Sequence, residues 1–155
     1  MDPLTIQRLL AAARSARARA HAPYSHFAVG AALLDEQGRV HGGCNVENAA
    51  YPQGVCAEAG ALSALVLAGG REVRAVLVIA EAATPVTPCG GCRQKLREFA
   101  RAEVPVLVAN LQGELTHFTL GELLPHSFGP DHLNRDPLHT DPQHDSSHDP
   151  GKTTP

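Results

Sequence analysis

Two short segments, Cys56-Ala57-Glu58 and Pro88-Cys89-Gly90-Gly91-Cys92, constrain this chain more than anything else in it. In a reducing compartment disulfides are rare, and a Cys-x-x-Cys pair with a distant third cysteine is a metal-site pattern. Cys89 and Cys92 on one helical turn point the same way and can grip one ion, while Cys56 closes a third corner. Any fold must therefore bring these segments to one point. Thiolate ligands with an open position favour zinc. Three protein ligands leave a tetrahedral ion one open corner, which is the arrangement of a catalytic rather than a structural zinc. Glu58 is then close enough to reach a water in that corner without ligating, as a general base that later acts as an acid. A structural zinc knuckle explains the same cysteines, with Glu58 a first-turn acid that favours the helix dipole. His41, His117 and Cys44 are available as a fourth ligand, and spacing leaves both readings open. Cys44 itself, beside Gly42 and Gly43, reads most simply as a small buried thiol.

The remaining pattern is that of an α/β domain. Asp2-Pro3 reads as a cap and first helical position, followed by apolar residues at helical spacing over 3–20. Residues 27–34 and 39–43 read as strands around the turn Asp35-Glu36-Gln37-Gly38. Small and apolar residues predict a buried helix over 56–68, stopped by Gly69-Gly70. The near-continuous apolar run 73–80 predicts a central strand covered on both faces. A helix over 89–100, strands over 104–110 and 115–119, and a helical turn near 120–124 complete five strands and three main helices. From residue 131 the composition turns to Asp, Pro, His, Ser and Thr. The domain is therefore placed at 1–130 and a disordered tail at 131–155, whose irregularly spaced histidines read as solvated.

A formal net charge of -3 gives no general attraction for phosphate backbones or anionic lipid, which argues against a nucleic-acid or membrane partner and for a small ligand. No apolar run approaches the roughly 20 residues of a membrane span, and the N-terminus lacks the order of a secretory signal, so a cytoplasmic location is expected.

The two cysteine segments match the general pattern of zinc nucleobase deaminases, in which cysteine is allowed at the first ligand position. More specifically, the chain resembles the short cytidine deaminases of pyrimidine salvage. The likeness extends to Pro23-Tyr24-Ser25-His26-Phe27-Ala28-Val29-Gly30, Gly43-Cys44-Asn45-Val46-Glu47-Asn48-Ala49-Ala50-Tyr51-Pro52, Cys92-Arg93-Gln94 and Glu122-Leu123-Leu124-Pro125-His126-Ser127-Phe128-Gly129-Pro130. This resemblance implies a three-layer α/β/α fold on a mixed five-stranded sheet. It also implies one Zn²⁺ per subunit on Cys56, Cys89 and Cys92. The implied reaction is hydrolysis of cytidine and 2'-deoxycytidine to uridine and 2'-deoxyuridine plus ammonia, by zinc-bound hydroxide attack at C4 with Glu58 as the proton shuttle.

By position, Asn45 and Glu47 match a pair that hydrogen-bonds the ribose hydroxyls, and Phe27 an aromatic of the nucleoside pocket. The Ala57 N–H and carbonyls near Thr87 to Cys89 match groups that hold the pyrimidine edge and the leaving amine. Tyr51 and Phe128 match aromatics that enter a neighbouring subunit's site, which implies a homo-oligomer, usually a tetramer. In many relatives with three cysteines an arginine follows Cys-Ala-Glu and offsets the thiolate charge. Here that residue is Ala59, and Arg93, beside Cys92, is the expected substitute. Two rivals remain: an aminohydrolase of another cytosine nucleoside, such as a nucleoside antibiotic, and a non-catalytic zinc-stabilised interaction module.

Overall fold

The computed structural model describes residues 1–133. Helix α1 spans Pro3–Arg17, with the Asp2 side chain accepting from the Thr5 N–H at 2.9 Å. It ends three residues before the expected limit, where Arg19 N–H turns back to the Ala16 carbonyl. Strands β1 (Val29–Asp35) and β2 (Val40–Cys44) form the expected hairpin, and α2 (Ala57–Leu67) follows. Then come β3 (Val73–Ala80), α3 (Gly90–Arg97), β4 (Pro105–Ala109), β5 (Leu115–Thr119) and the short α4 (Leu120–Leu123). A capping box between Thr119 and Glu122 starts α4.

The five strands form one mixed sheet in the order β2-β1-β3-β4-β5, antiparallel except for the β3–β4 pair. The nearly continuous apolar β3 is buried on both faces. Val76 and Val78 meet Leu65 of α2 and Leu96 of α3 in one core; Leu77 and Ile79 meet Leu9 and Ala13 of α1 in the other. The result is the expected three-layer α/β/α stack. A register shift at Leu34/Asp35 pairs Asp35 with Val73 and skips Arg74, which restores Val73 to the α2 side and leaves Arg74 exposed.

Topology decides where the site lies. Because β2 and β3 are both antiparallel to β1, they run parallel to each other and their carboxyl ends open on the same edge of the sheet. The chain leaves β2 for α2 and β3 for α3, and both helices pack on the same face. Their N-termini therefore meet. Close packing helps: a Cβ at Gly43 would lie 2.2 Å from the Ala61 nitrogen and 2.4 Å from the Ala57 carbonyl oxygen, so only glycine lets α2 sit this near β2.

Of the expected tail, residues 131–133 belong to a closing 3₁₀ turn, Pro130–Leu133. Its remainder lies outside the described residues. Among the described residues no helix is long and apolar enough to cross a membrane.

Candidate active site

Cys56 and Cys89 are the N-cap residues of α2 and α3 rather than their first helical residues, and Cys92 lies in the first turn of α3. Each cap thiol stands where a helix presents unpaired N–H groups and the positive end of its dipole. The three sulfurs lie within 4.8 Å of one another, and Cys56 and Cys89 Sγ are 3.9 Å apart. Zn–S bonds of about 2.3 Å at tetrahedral angles place sulfurs about 3.8 Å apart, so the spacing fits a single zinc ion. Among the described residues no histidine, carboxylate or fourth cysteine joins this cluster. His41 instead binds Asp35 at 2.8 Å, and Cys44 is half-buried with its thiol donating to the Arg19 carbonyl.

The electrostatics of the thiols call for a cation. Cys56 and Cys89 are exposed and Cys92 is buried; partial desolvation raises the Cys56 thiol, and full burial raises Cys92 strongly with added opposition from the Glu58 charge. Burial opposes ionisation of Cys89 as well, but donation from the Cys92 N–H, with thiol partners, leaves it below its ordinary value. A bound divalent ion inverts this balance and holds all three as thiolates.

Glu58, in the first turn of α2, is 5% exposed, and among the described residues no donor hydrogen-bonds its carboxylate. Its charge is felt by all three cysteines, which places it beside the metal position.

Arg93 does not point its donors at sulfur. Its Nε donates to the Pro88 carbonyl at 2.6 Å, one terminal nitrogen to the Leu123 carbonyl at 2.8 Å and the other to Thr87 Oγ1 at 2.9 Å. The expectation of direct compensation by Arg93 is thus corrected: the guanidinium is spent on fixing the loop that delivers Cys89. The donor that acts on a sulfur is the Cys92 N–H, which lowers Cys89, while Cys56 and Cys89 sit at the positive ends of two helix dipoles.

The residues that the resemblance assigns to the nucleoside are joined to this centre by a short backbone bridge. Val46 and Val55 exchange N–H···O bonds of 2.9 and 2.8 Å, which lays Asn45 and Glu47 alongside the approach to Cys56. Asn45 accepts from Val29 N–H at 2.8 Å and donates to the Phe27 carbonyl at 2.9 Å, so it also fixes the entry of Phe27. Ala57 is buried in the first turn of α2. Glu47 accepts from the Tyr24 and Ser25 N–H groups and the Ser25 hydroxyl, and these bonds, the hydroxyl first, hold it below the usual carboxylate range. Tyr24, Ser25, Glu47, Asn48, Tyr51 and Gly54 line a cavity of about 370 Å³.

Tyr51 is 75% exposed and meets Tyr24 edge to face at 5.9 Å between ring centroids, while Phe128 is 57% exposed and stacks on His132. Tyr24 and Ser25 did not stand out as site residues in the sequence. The usable signal was a serine two residues before Phe27, whose N–H its hydroxyl accepts at 3.0 Å. His26 between them has φ 56, a left-handed conformation that a sequence pattern does not announce.

Comparison with known proteins agrees with this geometry. The family described as "Cytidine and deoxycytidylate deaminase zinc-binding region" matches residues 4–108. A cytidine deaminase of Sporosarcina psychrophila is 42% identical over 131 residues, covering 84% of this chain and 96% of its own. One of Halalkalibacterium halodurans is 44% identical over 128 residues, covering 83% and 97%. The crystal structure of a Burkholderia pseudomallei cytidine deaminase superposes with TM-score 0.76 at 42% identity, covering 83% of this chain and 100% of that one. Family match, fold and cysteine geometry coincide on the same residues, and the chain belongs to the cytidine and deoxycytidylate deaminase family.

Proposed function

We infer that this chain catalyses the hydrolytic deamination of cytidine to uridine and ammonia, and that it accepts 2'-deoxycytidine in the same way. One observation carries the reading: three thiol sulfurs at zinc spacing gather at the N-termini of two helices, with Glu58 in the first turn of one of them. Cys56, Cys89 and Cys92 hold one zinc ion per subunit. When bound, the metal supplies Lewis acidity that brings the ionisation of water toward neutral pH.

Glu58 is the proton carrier: it accepts a proton from the attacking water and gives it to N3 of the pyrimidine, then takes the remaining proton of the new C4 hydroxyl and gives it to the amine, so that the C4–N bond breaks to release ammonia as the C4 carbonyl forms. Protonation at N3 makes C4 electrophilic, and burial keeps bulk water from competing for the proton. The Ala57 N–H, one of the first-turn donors of α2 without a helical partner, holds the pyrimidine edge. Backbone carbonyls near Thr87 to Cys89 hold the departing amine; those of Pro88 and Cys89 each accept one bond from Arg93 and keep a second lone pair. Asn45 and ionised Glu47 hydrogen-bond the ribose hydroxyls, and Phe27 lines the base. Tyr51 and Phe128 are largely exposed aromatics, which supports their use across a subunit boundary in a homotetramer. Thiols 3.9 Å apart would be liable to oxidation outside a reducing compartment, which supports a cytoplasmic location.

The test is ammonia release from cytidine, deoxycytidine and cytosine by purified protein, with and without a chelator. Glu58→Gln is expected to lose about 10²–10⁴-fold in kcat while retaining its zinc. An interaction module would tolerate that substitution, and release from neither nucleoside would overturn the reading.

A further inference from the structure

Helix α3 carries more than metal ligands. Gln94 and Arg97 reach from it to the segment that follows α4. Gln94 Nε2 donates to the Phe128 carbonyl at 2.9 Å. Arg97 Nε donates to Ser127 Oγ at 3.1 Å, and a terminal nitrogen pairs with Asp131 Oδ1 at 2.5 Å. Gly129 lies flat against the guanidinium: a Cβ there would fall 2.4 Å from Arg97 Cζ. His126, at φ 52, turns the chain into this segment. The Gly129 N–H donates to His132 Nδ1 at 3.1 Å, and the imidazole stacks on the Phe128 ring with centroids 5.1 Å apart.

Those contacts fix backbone on both sides of Phe128 without burying its ring, which stays 57% exposed. Core packing therefore does not account for them. An aromatic held rigid yet uncovered is an aromatic presented to something else, and fixing it in advance removes the ordering cost of using it.

We propose that Gln94 and Arg97 are positioning residues for the deamination, holding residues 127–131 against the helix of Cys89 and Cys92 so that Phe128 is aimed into a nucleoside pocket. This rests on the pocket role proposed above for Phe128. Lysine cannot replace Arg97, because two groups are held by one planar fork. The device binds substrate rather than reacting, so its loss raises KM and leaves kcat and zinc content in place.

The test compares cytidine kinetics and zinc content of the full-length zinc enzyme with those of Phe128→Ala, Arg97→Gln, Arg97→Lys and the Phe128→Ala/Arg97→Gln double variant. Phe128→Ala is expected to raise KM roughly tenfold, the scale of one lost base–aromatic contact. Both Arg97 variants are expected to raise KM in the same sense, and the double variant to be no worse than Phe128→Ala alone. Gly129→Ala, which pushes the segment off the guanidinium without altering α3, gives the same KM effect if an Arg97 variant fails to fold. An unchanged KM in Phe128→Ala would remove the pocket role itself. A raised KM there, with none in the Arg97 or Gly129 variants or with multiplying losses in the double variant, would show the clamp to be structural only and overturn the inference.

Discussion

Asp35 shows how single side chains remote from the metal set the response to acid. Its side chain is fully buried, and it accepts from His41 Nε2, from Arg39 Nε and from the N–H groups of Gln37 and Arg39. Burial alone would raise its pKa, but these bonds outweigh burial and bring it from 3.8 down to about 2. A lowered folded-state value means stability that is present above about pH 4 and lost as pH falls toward 2. The shift corresponds to about 2 kcal/mol. Urea melts of the protein and of Asp35→Asn across pH 2–7 are expected to show that acid-dependent part in the former and not in the latter. Arg93 acts at the same scale with a different readout. Arg93→Gln frees the loop before Cys89 and is expected to weaken zinc affinity about 10–100-fold, measured by competition with a chromophoric chelator. Unchanged affinity would show that the loop holds its shape without the guanidinium.

At the scale of elements, the distance between α2 and β2 decides whether Cys56 and Glu58 reach their places. Gly43→Ala inserts a methyl group against the Ala57 carbonyl and the Ala61 nitrogen, backbone atoms that cannot swing aside. Overpacking of this kind costs about 1–3 kcal/mol, and here it moves the first turn of the helix that carries Glu58, the proposed proton shuttle. Thermal melts and kcat are expected to fall together, whereas a loss of stability with kcat intact would show that α2 relaxes without shifting Glu58. The existence of each element was legible in the residues: the Asp2-Pro3 start, the unbroken β3 run and the helical turn near 120–124 all fall where expected. The ends were less so. Cys56 and Cys89 continue a helical pattern in sequence but take extended backbone angles as caps, and Phe27 and Ala28 read as strand although Asn45 draws them out of the β1 ladder.

For the molecule as a whole, the cysteine cluster was readable because its spacing is a chemical requirement. The devices around it were not, because they join residues far apart in sequence without a local signature: Ser25 with Glu47, Arg93 with Leu123, Gln94 with Phe128. His132, which the composition assigns to a solvated tail, lies instead on the Phe128 ring. The sheet order has a further consequence, in time rather than space. Cys56 and Cys89 converge only once β1 is seated between β2 and β3, a pairing that must wait for α2 and the whole of β3. During refolding the complete ligand set is therefore assembled late. Pulsed alkylation in the presence of zinc is expected to find Cys56 reactive until the β1–β3 amides are protected from exchange. Earlier protection of Cys56 would mean that the metal gathers the chain instead of registering that it has been gathered.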